Sequence, residues 1–149
     1  MIFIFDTSIK EIPSTSGMNE STKNSNFLKE RVKYVPEYLL ELEKAVYNKN
    51  YSEFNRIMMK DTMELHSICS DTFPPIFYLN SASKKIINFV HKFNNLVNFE
   101  DSDCQHKIGY SFDAGPNCFI MGQKKSMLMI KHLLSEFNTD LCDLISAKK

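Results

Sequence analysis

Glycine-rich phosphate loops are missing from this sequence. Glycine occurs only four times in 149 residues, and the patterns G-x-G-x-x-G and G-x-x-x-x-G-K-[S/T] do not occur. Nucleotide binding is therefore not indicated by any motif in the chain. Charge of one sign is not in excess either, since 18 Lys and Arg balance 18 Asp and Glu. Because nucleic-acid-binding surfaces gather basic residues, we expect no nucleic-acid partner.

Long hydrophobic runs are also absent. The first five residues, MIFIF, are apolar, but Asp6 ends the run. A signal peptide needs an apolar segment of roughly 7–15 residues, and a membrane-spanning helix needs about 20. We therefore predict no membrane association and a location in the cytosol.

Closely spaced metal-ligand motifs are a third absence. No C-x-x-C pair occurs, so the cysteines fit neither a zinc ribbon nor a thioredoxin-type redox site. The histidines are far apart in sequence. We therefore predict no metal site, reduced cysteines and structural or surface roles for the histidines. These residues are Cys69, Cys104, Cys118 and Cys142, and His66, His91, His106 and His132.

The composition is that of an ordinary folded protein. Apolar residues make up 43% of the chain and charged residues 24%, both close to the averages for globular proteins. A chain of this length usually forms one domain and can bury a core. We therefore predict a single domain over residues 1–149.

Strands and loops are predicted from the apolar pattern outside the helices. Residues 2–6 form a continuous apolar run, which is typical of a strand buried on both faces. Residues 10–26 are predicted to be a polar, hydroxyl-rich loop, and residues 98–105 an acidic loop. Strands are predicted over 107–112, with Ile108, Tyr110 and Phe112 on one face, and over 118–121.

Four helices are predicted from apolar residues that recur at helical spacing. The chain is predicted to become helical from Phe27, with Pro36 and Glu37 in the first turn of the helical segment that carries the first stripe, and the second helix begins with Ser52 as its N-cap. The others extend over about 83–97 and 124–137. The four apolar stripes are Leu39, Leu42 and Val46; Phe54, Met58, Leu65 and Ile68; Ile86, Val90, Phe93 and Val97; and Met127, Ile130, Leu134 and Phe137.

The stretch YSFDAGPNCFIM places Asp113 at the end of a predicted strand, beside a Gly-Pro turn. A rigid sheet can present a carboxylate to a ligand there, and an ionised aspartate can accept a proton, so Asp113 is a candidate general base. The alternative, which the local pattern favours, is an Asx turn in which the Asp113 side chain bonds the following backbone. The residues alone leave both open.

The stretch STSGM, residues 14–18, offers hydroxyls and backbone N–H groups. A short helix opening at residues 18–20 would attract a phosphate to its N-terminus. A solvated loop with a serine N-cap explains the same residues without any ligand. No G-x-S-x-G pattern supports a serine nucleophile.

Three longer strings resemble a known family. STSGM (14–18), MKDTMELHSICSDTFPPIFYLN (59–80) with IINFVHKFN (86–94), and YSFDAGPN (110–117) are similar to diphosphomevalonate decarboxylases, members of the GHMP kinase superfamily. The resemblance extends from Ile2 to about Phe137. It implies the C-terminal portion of such an enzyme. The implied fold is the α+β GHMP C-terminal domain, a ferredoxin-like antiparallel sheet with helices packed on it, here incomplete.

The resemblance also implies a reaction in the mevalonate pathway of isoprenoid and sterol biosynthesis. ATP phosphorylates the tertiary hydroxyl of mevalonate 5-diphosphate, and loss of that phosphate with carbon dioxide gives isopentenyl diphosphate. The matching positions imply that Asp113 is the catalytic base near this hydroxyl, and that Thr15 with Ser14 binds the substrate through its diphosphate end. A tertiary alcohol is a poor nucleophile, so a positioned carboxylate is suited to it. Family members are homodimers in the cytosol.

The family pattern also includes an N-terminal domain with the ATP phosphate-binding loop and basic substrate-binding residues, which this sequence does not match. We therefore expect ATP and Mg²⁺ to be bound by the full-length enzyme, and no cofactor by this chain alone. An alternative is a non-catalytic remnant or partner-binding module that is inactive alone. A sister small-molecule kinase is disfavoured, because the DAGPN turn occupies the place of the glycine-rich loop in those kinases.

Overall fold

The chain has the predicted α+β fold, with many helices and one small sheet. A computed structural model describes residues 1–8, 10–96 and 106–136. The elements within these ranges, in chain order, are β1 (Ile2–Phe3), α1 (Ser14–Asn24), α2 (Asn26–Tyr47), α3 (Tyr51–Asp71), α4 (Ser81–Leu96), β2 (Ile108–Phe112), β3 (Cys118–Gly122) and α5 (Lys124–Glu136). None of these helices is long and apolar enough to cross a membrane. The acidic loop predicted over 98–105 lies outside the described residues.

The sheet is antiparallel, with the strand order β1-β3-β2. The two strands predicted on either side of the DAGPN turn are confirmed as β2 and β3. They pair directly across the turn, with Phe112 opposite Cys118. The turn therefore projects from one end of the sheet, and Asp113 is the first residue beyond β2.

The prediction for the first strand is wrong in its length and its environment. Only two residues pair, and Ile2 and Ile4 are 59% and 67% exposed. Phe3 and Phe5 instead pack against the core. Because β1 lies at the edge of the described sheet and is covered on one side only, its side chains alternate between core and solvent.

One face of the sheet carries the hydrophobic core. The predicted inward residues Ile108, Tyr110 and Phe112 are all buried. Helices α4 and α5 cover this face, and the stripe predicted for α4 is confirmed over the residues that the structure describes. The buried residues that α4 and α5 contribute to this core are Ile86, Phe89, Val90, Phe93 and Ile130. The stripe positions Val97 and Phe137 fall outside the described residues.

Helix α3 packs on the opposite face of β2, so this strand is covered on both sides. The approach is close at Gly109, where an added Cβ would lie 2.6 Å from Met58 Cε and 3.0 Å from Asn55 Cβ. The Asn55 side chain donates a hydrogen bond to the His106 carbonyl, 2.7 Å away, just before the strand begins. The absence of a side chain at Gly109 therefore allows α3 and β2 to pack closely against each other.

The polar loop predicted over 10–26 is largely a helix, and this prediction is wrong. Helix α1 begins at Ser14, although its hydroxyl-rich sequence is a poor helix former. Tertiary contacts compensate: the buried Ser21 hydroxyl hydrogen bonds Thr72 Oγ1 at 2.8 Å, and the Asn24 side chain pairs with the backbone of Phe73 in both directions. These bonds hold α1 against the end of α3.

The predicted starts of the next two helices are also displaced. Helix α2 begins at Asn26, with Ser25 as its N-cap, so Pro36 lies inside it. Pro36 is exposed, where water can satisfy the carbonyl that loses its helical partner. Helix α3 is capped by Asn50, whose side chain accepts from Glu53 N, while the predicted cap Ser52 accepts a hydrogen bond from His106 N at 3.0 Å.

Two of the predicted apolar stripes are only partly buried. Leu39 and Val46 of α2 are more than half exposed. In α3 the predicted Leu65 is 38% exposed, and the buried face includes polar residues instead. These are Asn55, Thr62 and His66. The face of α3 that meets the sheet is thus partly polar, which an apolar pattern does not reveal.

Candidate functional site

A cleft of about 440 Å³ lies at the end of the sheet from which the β2–β3 turn projects. Three separate parts of the chain form its walls: the segment after β1, the segment between α3 and α4, and the turn itself. The lining residues are Asp6, Ser8, Lys10, Glu11 and Ile12; Pro75, Ile76, Phe77, Tyr78, Leu79 and Asn80; and Asp113, Gly115, Pro116 and Asn117.

Asp113 lines this cleft with an exposed side chain. The turn is closed by the backbone, because Gly115 N donates to the Asp113 carbonyl at 2.8 Å. Within the described residues, the Asp113 carboxylate accepts no hydrogen bond. The Asx turn considered for this residue is therefore not formed, and the carboxylate faces the cleft with its acceptor capacity unused.

Asn117 joins the turn to the segment after β1. Its Oδ1 accepts hydrogen bonds from Phe5 N at 2.8 Å and Asp6 N at 3.1 Å, and its Nδ2 donates to the Asp6 carbonyl at 3.0 Å. The Asp6 carboxylate in turn accepts from Ser8 N at 2.7 Å, and hydrogen bonds from Ser8 lower the pKa of Asp6. Two walls of the cleft are thus fixed to each other.

The start of α4 also anchors the turn. Ser83 is fully buried, and its hydroxyl donates to the Pro116 carbonyl at 3.0 Å. Asn80 Oδ1 accepts from Ser83 N at 3.0 Å, which caps the helix. The same two residues therefore begin α4 and hold the DAGPN turn.

Lys10 is a cleft residue that the sequence did not single out. A Cβ on Gly115 would lie 3.4 Å from Lys10 Cε, 3.7 Å from Lys10 Nζ and 3.9 Å from Asp113 Oδ1. The missing side chain at Gly115 leaves room for both groups, and the ion pairs seen among the described residues do not include Lys10 with Asp113. The only sequence signal would have been that the strands predicted over 2–6 and 118–121 pair in one sheet, which brings the segment after β1 to the turn.

Ser14 and Thr15 lie in the first turn of α1 and are exposed. Neither lines the cleft, although Ile12, two residues before Ser14, does. The helix has no side-chain cap at Pro13, and its first backbone hydrogen bond runs from Gly17 N to the Pro13 carbonyl at 3.0 Å. The N–H groups that precede Gly17 therefore have no partner within the helix and can bind an anion.

The described residues show no metal centre. His66 and Cys69 are three residues apart on α3, but no group of three or more His, Cys, Asp or Glu side chains in the described ranges is placed to hold a metal ion. Cys69 and Cys118 are buried free thiols, and burial raises the pKa of both, that of Cys118 to about 12. These two cysteines fill space in the interior, as predicted.

His66 is the buried titratable residue next to the turn. It is 9% exposed, and its Nε2 atom is buried without a hydrogen-bond partner among the described residues. Burial lowers the pKa of His66, and the Asp113 charge partly opposes this shift. The imidazole is therefore mainly in its neutral form at pH 7.

The chain matches a family of known enzymes over nearly its whole length. The model of the mevalonate 5-diphosphate decarboxylase C-terminal domain matches residues 1–147. The diphosphomevalonate decarboxylase of Danio rerio is 38% identical over 121 residues, and that of Eremothecium gossypii is 33% identical over 147 residues. These alignments cover 80% and 98% of this chain, but only 29% and 33% of the two relatives.

Solved structures agree with this match. The crystal structure of a mevalonate 5-diphosphate decarboxylase at 2.3 Å resolution superposes with a TM-score of 0.76 and 31% identity, covering 85% of this chain and 31% of that one. The similarity confirms the predicted GHMP C-terminal fold. The chain belongs to the mevalonate 5-diphosphate decarboxylase family, and it corresponds to the C-terminal domain of these enzymes.

Proposed function

We propose that the chain acts as the C-terminal part of a diphosphomevalonate decarboxylase and supplies the general base and part of the substrate site. The reaction is the ATP-dependent decarboxylation of mevalonate 5-diphosphate to isopentenyl diphosphate in the mevalonate pathway. The observation that carries this proposal is the Asp113 carboxylate, which faces the cleft without a hydrogen-bond partner in the described residues. A cytosolic homodimer is part of the same proposal.

Asp113 takes or holds the proton of the tertiary hydroxyl while that oxygen attacks the terminal phosphate of ATP. Its anchored turn supplies the fixed geometry that general-base catalysis needs. After the phosphate departs, positive charge develops on the substrate carbon, and the nearby carboxylate stabilises this charge.

Lys10 and the start of α1 provide the groups suited to phosphate oxygens. The ammonium group of Lys10 and the carboxylate of Asp113 both approach Gly115, and Ser14 and Thr15 offer hydroxyls with the unpartnered N–H groups of the first helical turn. A helix N-terminus favours negative charge. Ser14 and Thr15 therefore hold the diphosphate end, while the tertiary hydroxyl reaches Asp113.

In this proposal, ATP and magnesium are bound by the parts of the full-length enzyme that lie outside this chain. A structure with the same fold, 21% identical with a TM-score of 0.77, is of MDDEF in complex with MVAPP, AMPPCP and magnesium. The described residues of this chain do not fit a magnesium site, since they gather no group of three acidic or other ligating side chains. No step of the proposal is assigned to metal ligands of this chain.

The test is the substitution Asp113→Asn in the full-length enzyme, which keeps the shape of the side chain but removes the base. We expect phosphate release with mevalonate 5-diphosphate and ATP to fall by about 10²–10⁴-fold. Asp61→Asn is the matched control: Asp61 is exposed, lies on α3 away from the cleft and pairs with Arg31. A rate that is retained in Asp113→Asn would show that the base is another group.

A second candidate function is a module that binds another polypeptide without catalysis. It is favoured by an apolar sheet surface in the described residues, where Ile2, Ile4, Phe119 and Met121 are 40–67% exposed. The intact mass and the activity of the purified native protein decide between the two. A stable 17.3 kDa species without decarboxylase activity supports the module.

A further inference from the structure

The hydroxyl of Ser83 lies between the start of α4 and the DAGPN turn. Ser83 is fully buried, and its Oγ atom is 3.0 Å from the Pro116 carbonyl oxygen and 3.2 Å from Asn80 Oδ1. It also accepts a hydrogen bond from Asn80 N at 3.3 Å. Because a serine hydroxyl has one proton, it donates to one of these two oxygens at a time.

The cap of α4 does not need this proton. Asn80 Oδ1 already accepts the backbone N–H of Ser83 at 3.0 Å, and Asn80 N donates to Ser83 Oγ, which is the reciprocal arrangement of a capping box. The proton is therefore available to the Pro116 carbonyl. The backbone N–H of Ser83 serves the helix, and its hydroxyl proton serves the turn.

The direction of the Asp113 side chain depends on the backbone of this turn, because the carboxylate accepts no hydrogen bond within the described residues. The Asp113 carbonyl accepts from Gly115 N at 2.8 Å, and Pro116 follows Gly115 directly. Asn117 ties the turn to the segment after β1, which is itself a cleft wall. Ser83 instead ties it to a helix that packs in the core.

We propose that Ser83 is a positioning residue, whose hydroxyl proton binds the Pro116 carbonyl and so fixes the turn that carries Asp113 to the start of α4. The inference rests on the proposed role of Asp113 as the base. Without this bond the turn keeps its bonds to the segment after β1 but shifts relative to the core. The reaction then slows, while Lys10 and the start of α1 still bind the substrate.

A purely structural role for Ser83 predicts a different result. If its hydroxyl only capped α4, Ser83→Ala would weaken the start of the helix and leave the turn unchanged. Ser25 provides a matched control, since it is also fully buried and caps α2 by accepting from Leu28 N at 3.2 Å. Its hydroxyl donates to Asp71 Oδ2 at 2.9 Å, and it does not line the cleft.

The first test is amide exchange in the 149-residue chain. In Ser83→Ala the Gly115 amide should exchange with solvent about three- to tenfold faster, while the amide of residue 83 stays protected by Asn80 Oδ1. Ser25→Ala should leave Gly115 exchange unchanged. Faster exchange at residue 83 with unchanged exchange at Gly115 would indicate a cap alone and overturn the proposal. Should Ser83→Ala not fold, Ser83→Cys, with a similar shape and only a weak donor, takes its place with the same expectations.

The second test uses turnover in the full-length enzyme. Ser83→Ala should lower kcat about 10–100-fold with KM for mevalonate 5-diphosphate within about threefold, and Ser25→Ala should keep the wild-type kcat. Ser83→Thr keeps the hydroxyl and should recover most of the loss. Equal losses in Ser83→Ala and Ser83→Thr would assign the effect to shape and overturn the proposal.

Asp113→Asn separates this inference from the proposed function. If Asp113→Asn is inactive while Ser83→Ala retains the wild-type kcat, only the positioning role fails. If Asp113→Asn is fully active, the proposed function fails.

Discussion

Gly17 and Tyr78 are in contact. We expect Gly17→Ala to destabilise the chain when Tyr78 has its hydroxyl group and to stabilise it when that hydroxyl is removed. Gly17 lies in α1, and a Cβ added there would overlap the Tyr78 hydroxyl oxygen. That oxygen is buried and has no hydrogen-bond partner among the described residues. The tyrosine ring is stiff, so the hydroxyl cannot move aside without shifting the segment that lines the cleft.

Two opposing terms decide the stability of Gly17→Ala. Replacing glycine by alanine inside a helix contributes about 1 kcal/mol. Inserting a methyl group into a filled space costs about 1–3 kcal/mol. The single substitution should therefore lower the free energy of unfolding by about 0–2 kcal/mol.

In the Tyr78→Phe background the clash disappears. The nearest atoms to the new methyl group are then Ile76 Cδ1 at 3.5 Å and the ring carbon of residue 78 at 3.6 Å, which are ordinary contacts. Only the helix-propensity gain remains, so Gly17→Ala should now stabilise the chain by about 0.5–1 kcal/mol.

Urea unfolding of the wild type, both single variants and the double variant measures this difference. We expect a coupling energy of about 1–3 kcal/mol between the two positions. Tyr78→Phe alone should cost little, because its hydroxyl has no partner in the described residues. A stabilising Gly17→Ala in the wild-type background, or a coupling energy below about 0.5 kcal/mol, would refute the contact on which the reasoning rests.

Two further substitutions test the walls of the cleft. Asn117→Ala removes three hydrogen bonds to the Phe5 and Asp6 backbone and should lower the free energy of unfolding by about 1–3 kcal/mol, with faster exchange of those two amides; unchanged exchange would contradict the anchor. Lys10→Met should raise KM for mevalonate 5-diphosphate or ATP about 10–100-fold in the full-length enzyme, while Lys10→Arg should retain most affinity. Equal KM values in the two Lys10 variants would exclude a charge contact.

The parts of the fold with a strong local pattern could be predicted from the sequence. The alternation of Ile108, Tyr110 and Phe112 located β2, and the spacing of Ile86 and Val90 located α4, because each of these elements buries one regular face in the same core. The position of Asp113 at the end of β2 could also be predicted, since it follows a clear strand and precedes a Gly-Pro turn, while its role as the base stays a prediction.

The rest depends on contacts between residues far apart in sequence. Helix α1 has a hydroxyl-rich sequence that indicates a loop, and it is held by its bonds to Thr72 and Phe73. Lys10 and Asn117 become cleft residues only because β1 pairs with β3. His66 lies on a helix face whose buried residues are partly polar, so a search for apolar stripes passes over it.

The DAGPN turn is tied to two parts of the chain that are far apart in sequence, through Asn117 to the segment after β1 and through Ser83 to the start of α4. The turn is therefore a rigid part of the cleft wall. A ligand that enters the cleft meets a carboxylate whose position is already set, so adjustment on binding falls to the segment after β1, where Lys10 has a long and exposed side chain. Selectivity should therefore change more readily through residues 10–12 than through the turn.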